Sequence, residues 1–234
     1  MTDGHNQGGR RLIWDLPTRI FHWGLAISFA GAYLLSEADD LRTFHVMFGY
    51  TVLGLVAFRL LWGVVGSTHS RFANFAYGPS AALRDLRGLL VGRARDHEGH
   101  GPAASWSVYL LLALAAATAM TGWLHYNRIG GESLEEVHEA LANAWLVLVV
   151  LHVGGVLLSS WRHRRNLVRP MIYGYREGIA TGSTNARLAT GLALVCAIVG
   201  FWSWTAISGM SADGGAASIQ VSQRHAHDHD DDDD

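Results

Sequence analysis

The sequence contains no lysine, although it has 18 basic residues, so every one of them is an arginine. It has a single cysteine, Cys196, which excludes a disulfide framework and a cysteine-ligated cluster. Only 16% of its 234 residues are charged, whereas 50% are hydrophobic and nine are tryptophan. A soluble domain of this length normally carries a larger share of charged side chains. The composition therefore predicts a polytopic membrane protein, and the dispersed arginines give no sign of a module that binds nucleic acid.

Five apolar stretches are long enough to cross a bilayer as helices, which takes about 20 residues. They cover residues 18–36, 41–65, 104–126, 133–161, of which 140–161 carry no charge, and 188–207. We therefore expect an all-α membrane protein. Its expected parts are a flexible N-terminus (1–13), a membrane domain of four helices (14–177), an extra fifth transmembrane helix (188–207) and a disordered tail rich in histidine and aspartate (208–234). Residues 80–93 predict a short amphipathic helix on the membrane surface.

The arginines predict the orientation of these spans. With five spans, fourteen arginines fall on the side of the N-terminus, and three, Arg42, Arg128 and Arg224, fall on the other side. Basic residues are enriched in the cytoplasmic loops of membrane proteins. We therefore expect a multi-pass protein with its N-terminus in the cytoplasm and its C-terminus outside.

Four histidines within these spans form pairs of matched depth. His138 and His152 are fourteen residues apart on the fourth span. Four helical turns take about 14.4 residues, so both imidazoles face the same way, roughly 21 Å apart along the axis. The orientation puts His45 and His138 near the outer edge, and His22 and His152 near the inner edge. Ionisable groups in a membrane suggest function, and two imidazoles from facing helices can ligate a haem iron on both sides. The pattern predicts two haem sites.

Two more residues bear on these sites. Arg59 lies fourteen residues after His45, on the same helical face and at the depth of the inner pair. A haem propionate or a quinone oxygen would be a suitable partner for a buried guanidinium, although an arginine in this position can also extend to the cytoplasmic interface. Gly49, one turn after His45, leaves room for a flat ring. His125, at the outer end of the third span, is an alternative to His45 or His138 as an outer ligand.

Two other functions are compatible with membrane histidines. One is a divalent-metal transporter that uses them together with His225, His227 and His229 of the tail, but its spans usually contain carboxylates, which these spans lack. The other is a non-redox anchor subunit of a membrane complex. His69, in the loop after the second span, is expected to be a solvated loop histidine.

Three segments carry a resemblance to a known family: IWDLPTRIFHW, HVMFGYTVLGLVAFRLLWGVVGSTHSRF and LEEVHEALANAWLVLVVLHVGGVLLSSWRHRRNLVRPMIYG. Across residues 10–177 the chain resembles the bacterial cytochrome b561 and nickel–iron hydrogenase b-type cytochrome superfamily. The resemblance implies a four-helix transmembrane bundle in the bacterial inner membrane that binds two haems b. The ligands that it implies are His22, His45, His138 and His152.

The same resemblance implies a function in electron transport. Members of the superfamily transfer electrons between membrane quinone and a redox protein on the outer, periplasmic face, such as a hydrogenase or a c-type cytochrome. The fifth span and the acidic tail of this chain depart from the four-helix pattern.

Overall fold

The structure, a computed structural model, describes residues 10–92, 101–131, 133–177 and 187–208. Within these ranges the chain forms seven α-helices: α1 (Leu16–Leu34), α2 (Arg42–Val65), α3 (Pro79–Leu90), α4 (Pro102–Tyr126), α5 (Ser133–Arg162), α6 (Arg169–Tyr173) and α7 (Arg187–Ser208). There are also two 3₁₀-helices, Asp39–Leu41 and Phe72–Phe75. Two short strands, β1 (Arg10–Leu12) and β2 (Tyr175–Glu177), lie before α1 and after α6. The predicted all-α class is confirmed. Residues 1–9 of the predicted flexible N-terminus and the tail from residue 209 lie outside the described residues.

Four helices, α2, α4, α5 and α7, are long and apolar enough to cross a membrane. They coincide with four of the five predicted spans. The other predicted span corresponds to α1, a helix of 19 residues that is not among these four. Its first two turns contain Pro17, Thr18, Arg19 and His22, which lower its mean hydropathy. The predicted amphipathic helix is present as α3.

The core of the bundle is formed by α1, α2, α4 and α5. In this bundle α1 packs on α2, α2 on α4 and α4 on α5. The ring centroids of Phe29 in α1 and Trp145 in α5 are 4.3 Å apart, so α1 and α5 also meet. The buried core residues are Phe29, Val52, Val56, Ala115, Ala119 and Trp145. The two alanines let the backbone of α4 approach its neighbours closely, as small residues commonly do in membrane bundles.

The chain divides into two compact units, residues 1–194 and 195–234. The bundle lies entirely within the first unit. In the second unit the described residues are 195–208, the C-terminal part of α7, on which Cys196 is exposed.

A short β-ladder fastens the chain that leads into α1. Strand β1 pairs antiparallel with β2, and the N–H groups of Ile13 and Trp14 donate to the Gly174 carbonyl at 2.9 and 3.2 Å. Gly174 has φ of 85°, a conformation that glycine adopts without strain. One turn into α1, Arg19 Nη1 donates to the Ile172 carbonyl at 2.7 Å. These bonds hold the start of α1 against the segment that follows α5.

A buried polar network joins the start of α1 to the loop after α2. Asp15 caps α1 by accepting a hydrogen bond from the Thr18 N–H at 3.0 Å. Its other carboxylate oxygen accepts from Trp62 Nε1 and from the Ser70 hydroxyl, each at 3.2 Å. Arg59 Nη1 donates to the Ser70 carbonyl at 2.9 Å. Asp15, Arg59 and Ser70 are all buried, so each of these polar groups depends on the others for its hydrogen bonds.

Replacing Asp15 by alanine removes the helix cap and leaves the donors of Trp62 and Ser70 without their acceptor. We expect Asp15→Ala to lower the free energy of unfolding by roughly 2–4 kcal/mol. The measurement is the thermal denaturation midpoint of the detergent-solubilised protein. Glu139→Gln is the control because Glu139 is exposed on α5, and it should leave the midpoint nearly unchanged. Equal losses in the two variants would contradict the network.

The network also makes stability depend on pH. Burial raises the pKa of Asp15, but hydrogen bonds from Thr18, Ser67 and Trp62 together lower it below its ordinary value. A carboxyl with a lowered pKa in the folded state stabilises the protein above its unfolded-state pKa, and this contribution is lost as the pH falls through the folded-state pKa. The wild type should therefore have a higher denaturation midpoint than Asp15→Asn. This difference should be largest at neutral pH and become smaller below about pH 4. A difference that stays constant down to lower pH would show that the charge of Asp15 is not involved.

Candidate functional site

His45 of α2 and His138 of α5 face each other near the end of the bundle where both helices begin. Their ring centroids are 6.2 Å apart and the ring planes are inclined at 80°. His45 Nδ1 lies 2.8 Å from the Ala32 carbonyl oxygen, and His138 Nδ1 lies 2.9 Å from the Thr118 carbonyl oxygen. A carbonyl oxygen can only accept, so each Nδ1 carries the proton and each Nε2 keeps its lone pair. Among the described residues, neither Nε2 has a hydrogen-bond partner.

This arrangement fits two axial ligands of one iron. Two imidazoles bonded on opposite sides of a metal ion by bonds of about 2 Å place their ring centres roughly 6 Å apart. The separation of 6.2 Å agrees with that value. A neutral imidazole whose Nδ1–H is held by a backbone carbonyl is also the usual form of a metal-binding histidine.

Two glycines shape the space around this pair. A Cβ on Gly122 of α4 would come within 2.8 Å of His138 Cε1, so the imidazole occupies the space that a side chain there would fill. A Cβ on Gly49, one turn after His45, would meet no atom within 4 Å. The open space at Gly49 is compatible with the predicted position of a flat ring beside His45.

His22 of α1 and His152 of α5 form the second pair. The two imidazoles are close enough for the charge of one to affect the other, and both side chains are partly buried. His152 Nδ1 lies 3.0 Å from the hydroxyl oxygen of Ser107 in α4, which leaves its Nε2 free for a ligand bond. His22 Nδ1 is buried and has no hydrogen-bond partner among the described residues. A buried nitrogen without a partner is unusual, and this one lies where the sequence predicts an inner haem.

Arg59 lies inside the protein rather than at its surface. Only 2% of its surface is exposed. Its guanidinium carbon is 4.6 Å from the ring centroid of Phe72 and 6.0 Å from that of Phe21, and Nη1 is bonded to the Ser70 carbonyl. The side chain therefore does not extend to the interface. Its predicted contact with a propionate or a quinone stays a prediction.

The other histidines occupy different positions. His125 lies in the last turn of α4 and interacts electrostatically with His138, but the ring that stands opposite His138 is that of His45. Within residues 10–92, 101–131, 133–177 and 187–208, no three or more histidine, cysteine or acidic residues are grouped to hold a metal ion. The tail histidines His225, His227 and His229 lie outside the described residues.

The contribution of α4 to the site was not predicted from the sequence. Ser107, Thr118 and Gly122 all contact a histidine of α5. Ser107 and Thr118 are eleven residues apart, which is about three helical turns, and Gly122 follows one turn later. Small and hydroxyl residues along one face of an apolar helix are typical of helix contacts in membranes. That spacing was the available signal for these three residues.

Comparison with known proteins points to one family of membrane proteins. A model of the prokaryotic cytochrome b561 family matches residues 13–174, a range that contains both histidine pairs and the four helices of the bundle. The chain is also 21% identical over 211 residues to the probable Ni/Fe-hydrogenase B-type cytochrome subunit of Rhizobium leguminosarum bv. viciae, with 70% of this chain and 87% of that protein covered. No solved structure gives a significant match. The chain therefore belongs to the prokaryotic cytochrome b561 family and is an electron-transport membrane protein of the b-type cytochromes.

Proposed function

We propose that this chain is a di-haem cytochrome that transfers electrons across the bacterial cytoplasmic membrane between quinone and a redox protein on the outer face. The observation that carries the proposal is the outer pair of His45 and His138. Their rings stand 6.2 Å apart, and the proton of each ring is held on Nδ1 by a carbonyl of another helix. The proposed inner pair of His22 and His152 has different Nδ1 environments, a serine hydroxyl at His152 and no partner among the described residues at His22.

The placement of the pairs supports transfer across the membrane. His138 and His152 are fourteen residues apart on α5, which corresponds to roughly 21 Å along the helix. One helix thus supplies a ligand to each site, and α2 and α1 supply the partners. Bound haem b provides a one-electron change between ferrous and ferric iron. Ligation by two histidines leaves no open position on iron, which favours electron transfer over oxygen chemistry.

The residues of the chain orient the ligands and keep the interior dry. The Ala32 and Thr118 carbonyls fix the tautomer and limit rotation of the His45 and His138 rings. Between the two levels the bundle is filled by apolar side chains such as Val56 and Trp145. Such a low-dielectric interior strengthens the effect of nearby dipoles and charges on each site.

We also propose five membrane spans, with α1 as the first and with the N-terminus in the cytoplasm. Helix α1 packs along α2 and contributes to the core of the bundle. Arg162, at the end of α5, donates to the Leu90 carbonyl of α3 at 3.2 Å, and Arg19 donates to the Ile172 carbonyl. These contacts support a common, arginine-rich end that contains the start of α1, the end of α5 and α3. An arginine-rich end belongs in the cytoplasm.

The partner of the proposed reaction is a redox protein such as a hydrogenase or a c-type cytochrome on the periplasmic side. The name of the Rhizobium relative, a subunit of a Ni/Fe-hydrogenase, supports this class of partner. We assign quinone as the partner within the membrane, and Arg59 as the buried cation that would bind a quinone oxygen or a propionate of the inner haem. Its position at the inner end, within one hydrogen-bond network with Asp15 and Ser70, supports this role.

Haem content tests the proposal. The reduced-minus-oxidised spectrum of the purified protein should show a haem b α-band, and a pyridine haemochrome assay should give two haems per chain. Replacing any one of the four histidines by alanine should reduce the haem content to one haem per chain, because one site loses one of its two ligands. The variants are His22→Ala, His45→Ala, His138→Ala and His152→Ala. His125→Ala is the matched control and should retain both haems.

Two results would contradict the assignment. A wild-type protein without haem would leave the metal transporter or the non-redox anchor as the remaining functions. Loss of one haem in His125→Ala, with both retained in His138→Ala, would replace His138 by His125 as the outer ligand.

Cysteine labelling tests the orientation. In a Cys196→Ala background, Ile129→Cys should react with a membrane-impermeant maleimide added to cells whose outer membrane has been made permeable. Arg84→Cys should react only after the inner membrane is opened. Both positions are exposed, so access to each depends on the side of the membrane and not on burial. The reverse pattern would place the N-terminus outside.

A further inference from the structure

The two histidine pairs differ in what holds their Nδ1 protons. In the outer pair each Nδ1 lies next to a backbone carbonyl oxygen, at 2.8 Å from His45 and 2.9 Å from His138, and the Thr121 hydroxyl oxygen lies 3.3 Å from His138 Nδ1 as well. In the inner pair the acceptor for His152 is the hydroxyl of Ser107 at 3.0 Å, and His22 Nδ1 is buried without a partner among the described residues. The two sites therefore have the same ligand type but unequal hydrogen bonding behind the ligands.

The direction of the Ser107 bond follows from ligation. If His152 binds iron through Nε2, its Nδ1 must carry the proton, so His152 donates and the Ser107 oxygen accepts. An acceptor on Nδ1–H makes the imidazole a more basic ligand. A more basic ligand stabilises ferric iron relative to ferrous iron and so lowers the reduction potential.

The hydrogen bonds at the two sites predict which of them has the lower reduction potential. Both outer imidazoles are held by amide carbonyls, which are stronger acceptors than a neutral hydroxyl. Of the inner imidazoles, one is held by a hydroxyl and the other has no acceptor among the described residues. The ligands of the outer site are therefore the more basic pair. The buried Arg59 at the inner end acts in the same direction, since positive charge favours the reduced state, although Asp15 offsets part of its effect.

We propose that Ser107 sets the potential of the inner haem through His152 and that the outer haem has the lower potential of the two. The inference rests on the proposed di-haem function. Ser107 is a positioning residue, because it acts on the haem only through the imidazole that it holds. The order of potentials makes transfer of an electron from the outer haem to the inner haem the downhill direction.

Redox potentiometry of the purified holoprotein, followed at the α-band, tests this proposal. The wild type should show two one-electron components. The haem retained in His22→Ala is the outer one, and it should match the lower component. Ser107→Ala removes the acceptor and should shift only the upper component, to a still higher potential. Ser107→Thr keeps a hydroxyl and should restore the wild-type value.

Ser105→Ala is the matched control. Ser105 lies two residues earlier on α4 and donates its hydroxyl proton to the Gly101 carbonyl at 2.9 Å, away from either histidine. Loss of the Ser105 hydroxyl should leave the reduction potentials of both haems unchanged. Should Ser107→Ala lose haem, Ser107→Cys provides the second measurement, because a thiol is a weak acceptor. It should retain both haems and shift the upper component in the same upward direction.

The possible failures can be told apart. Two haems whose potentials both stay unchanged in the Ser107 variants, or both shift together, would overturn the role of Ser107. An outer haem with the higher potential would overturn the order. A wild type with no haem, or with one haem only, would overturn the proposed function and this inference with it.

Discussion

In an apolar bundle, a histidine that binds a metal through Nε2 needs an acceptor for its Nδ1 proton, and here the acceptor comes from a neighbouring helix. The Ala32 carbonyl of α1 serves His45 of α2, and the Thr118 carbonyl and the Ser107 hydroxyl of α4 serve the two histidines of α5. Three of the four histidines are therefore oriented by a contact between two helices. The packing of α1 on α2 and of α4 on α5 fixes the site geometry as well as the fold.

The hydrogen bonds to the Ala32 and Thr118 carbonyls require the helices to pack closely. The Ala32 carbonyl lies in the last turn of α1, where carbonyls have no partner within the helix. The Thr118 carbonyl lies in the middle of α4 and already accepts a bond from within its own helix, so the His138 donor must approach from the side. Such an approach requires close contact between backbones, which small residues permit. Gly122 meets this requirement directly, since a Cβ there would clash with the His138 ring. The small residues of α4 are thus part of the site although none of them is a ligand.

The sequence predicted the long helices to within about two residues because membrane spans are defined by local composition. Helical periodicity and the predicted orientation together also pair the four histidines by depth, and this pairing stays a prediction. The acceptor carbonyls could not be predicted, since every residue carries a carbonyl and its position depends on packing. The partners of Arg59 were missed for a similar reason. Asp15 is distant in sequence, and Ser70 lies in a loop whose path no periodic pattern specifies.

The end of the bundle at which α1 begins is built differently from its middle. The β-ladder, the Asp15 network and the contact of Arg19 with the Ile172 carbonyl connect the start of α1 to two other parts of the chain. His22 lies within two turns of these contacts, so its position depends on polar interactions. The core residues around Phe29, in contrast, fix the middle of α1 by apolar packing.

Helix α5 contributes one histidine to each pair, and this has a consequence for electron tunnelling. The rate of tunnelling falls exponentially with the distance between centres, so thermal motion of separate helices would make it fluctuate. Because His138 and His152 are attached to one continuous helix, sliding or tilting of α5 moves both proposed ligands together. In the proposed di-haem protein the spacing of the two centres would then be set by the rise of a single helix and be insensitive to rearrangement of its neighbours.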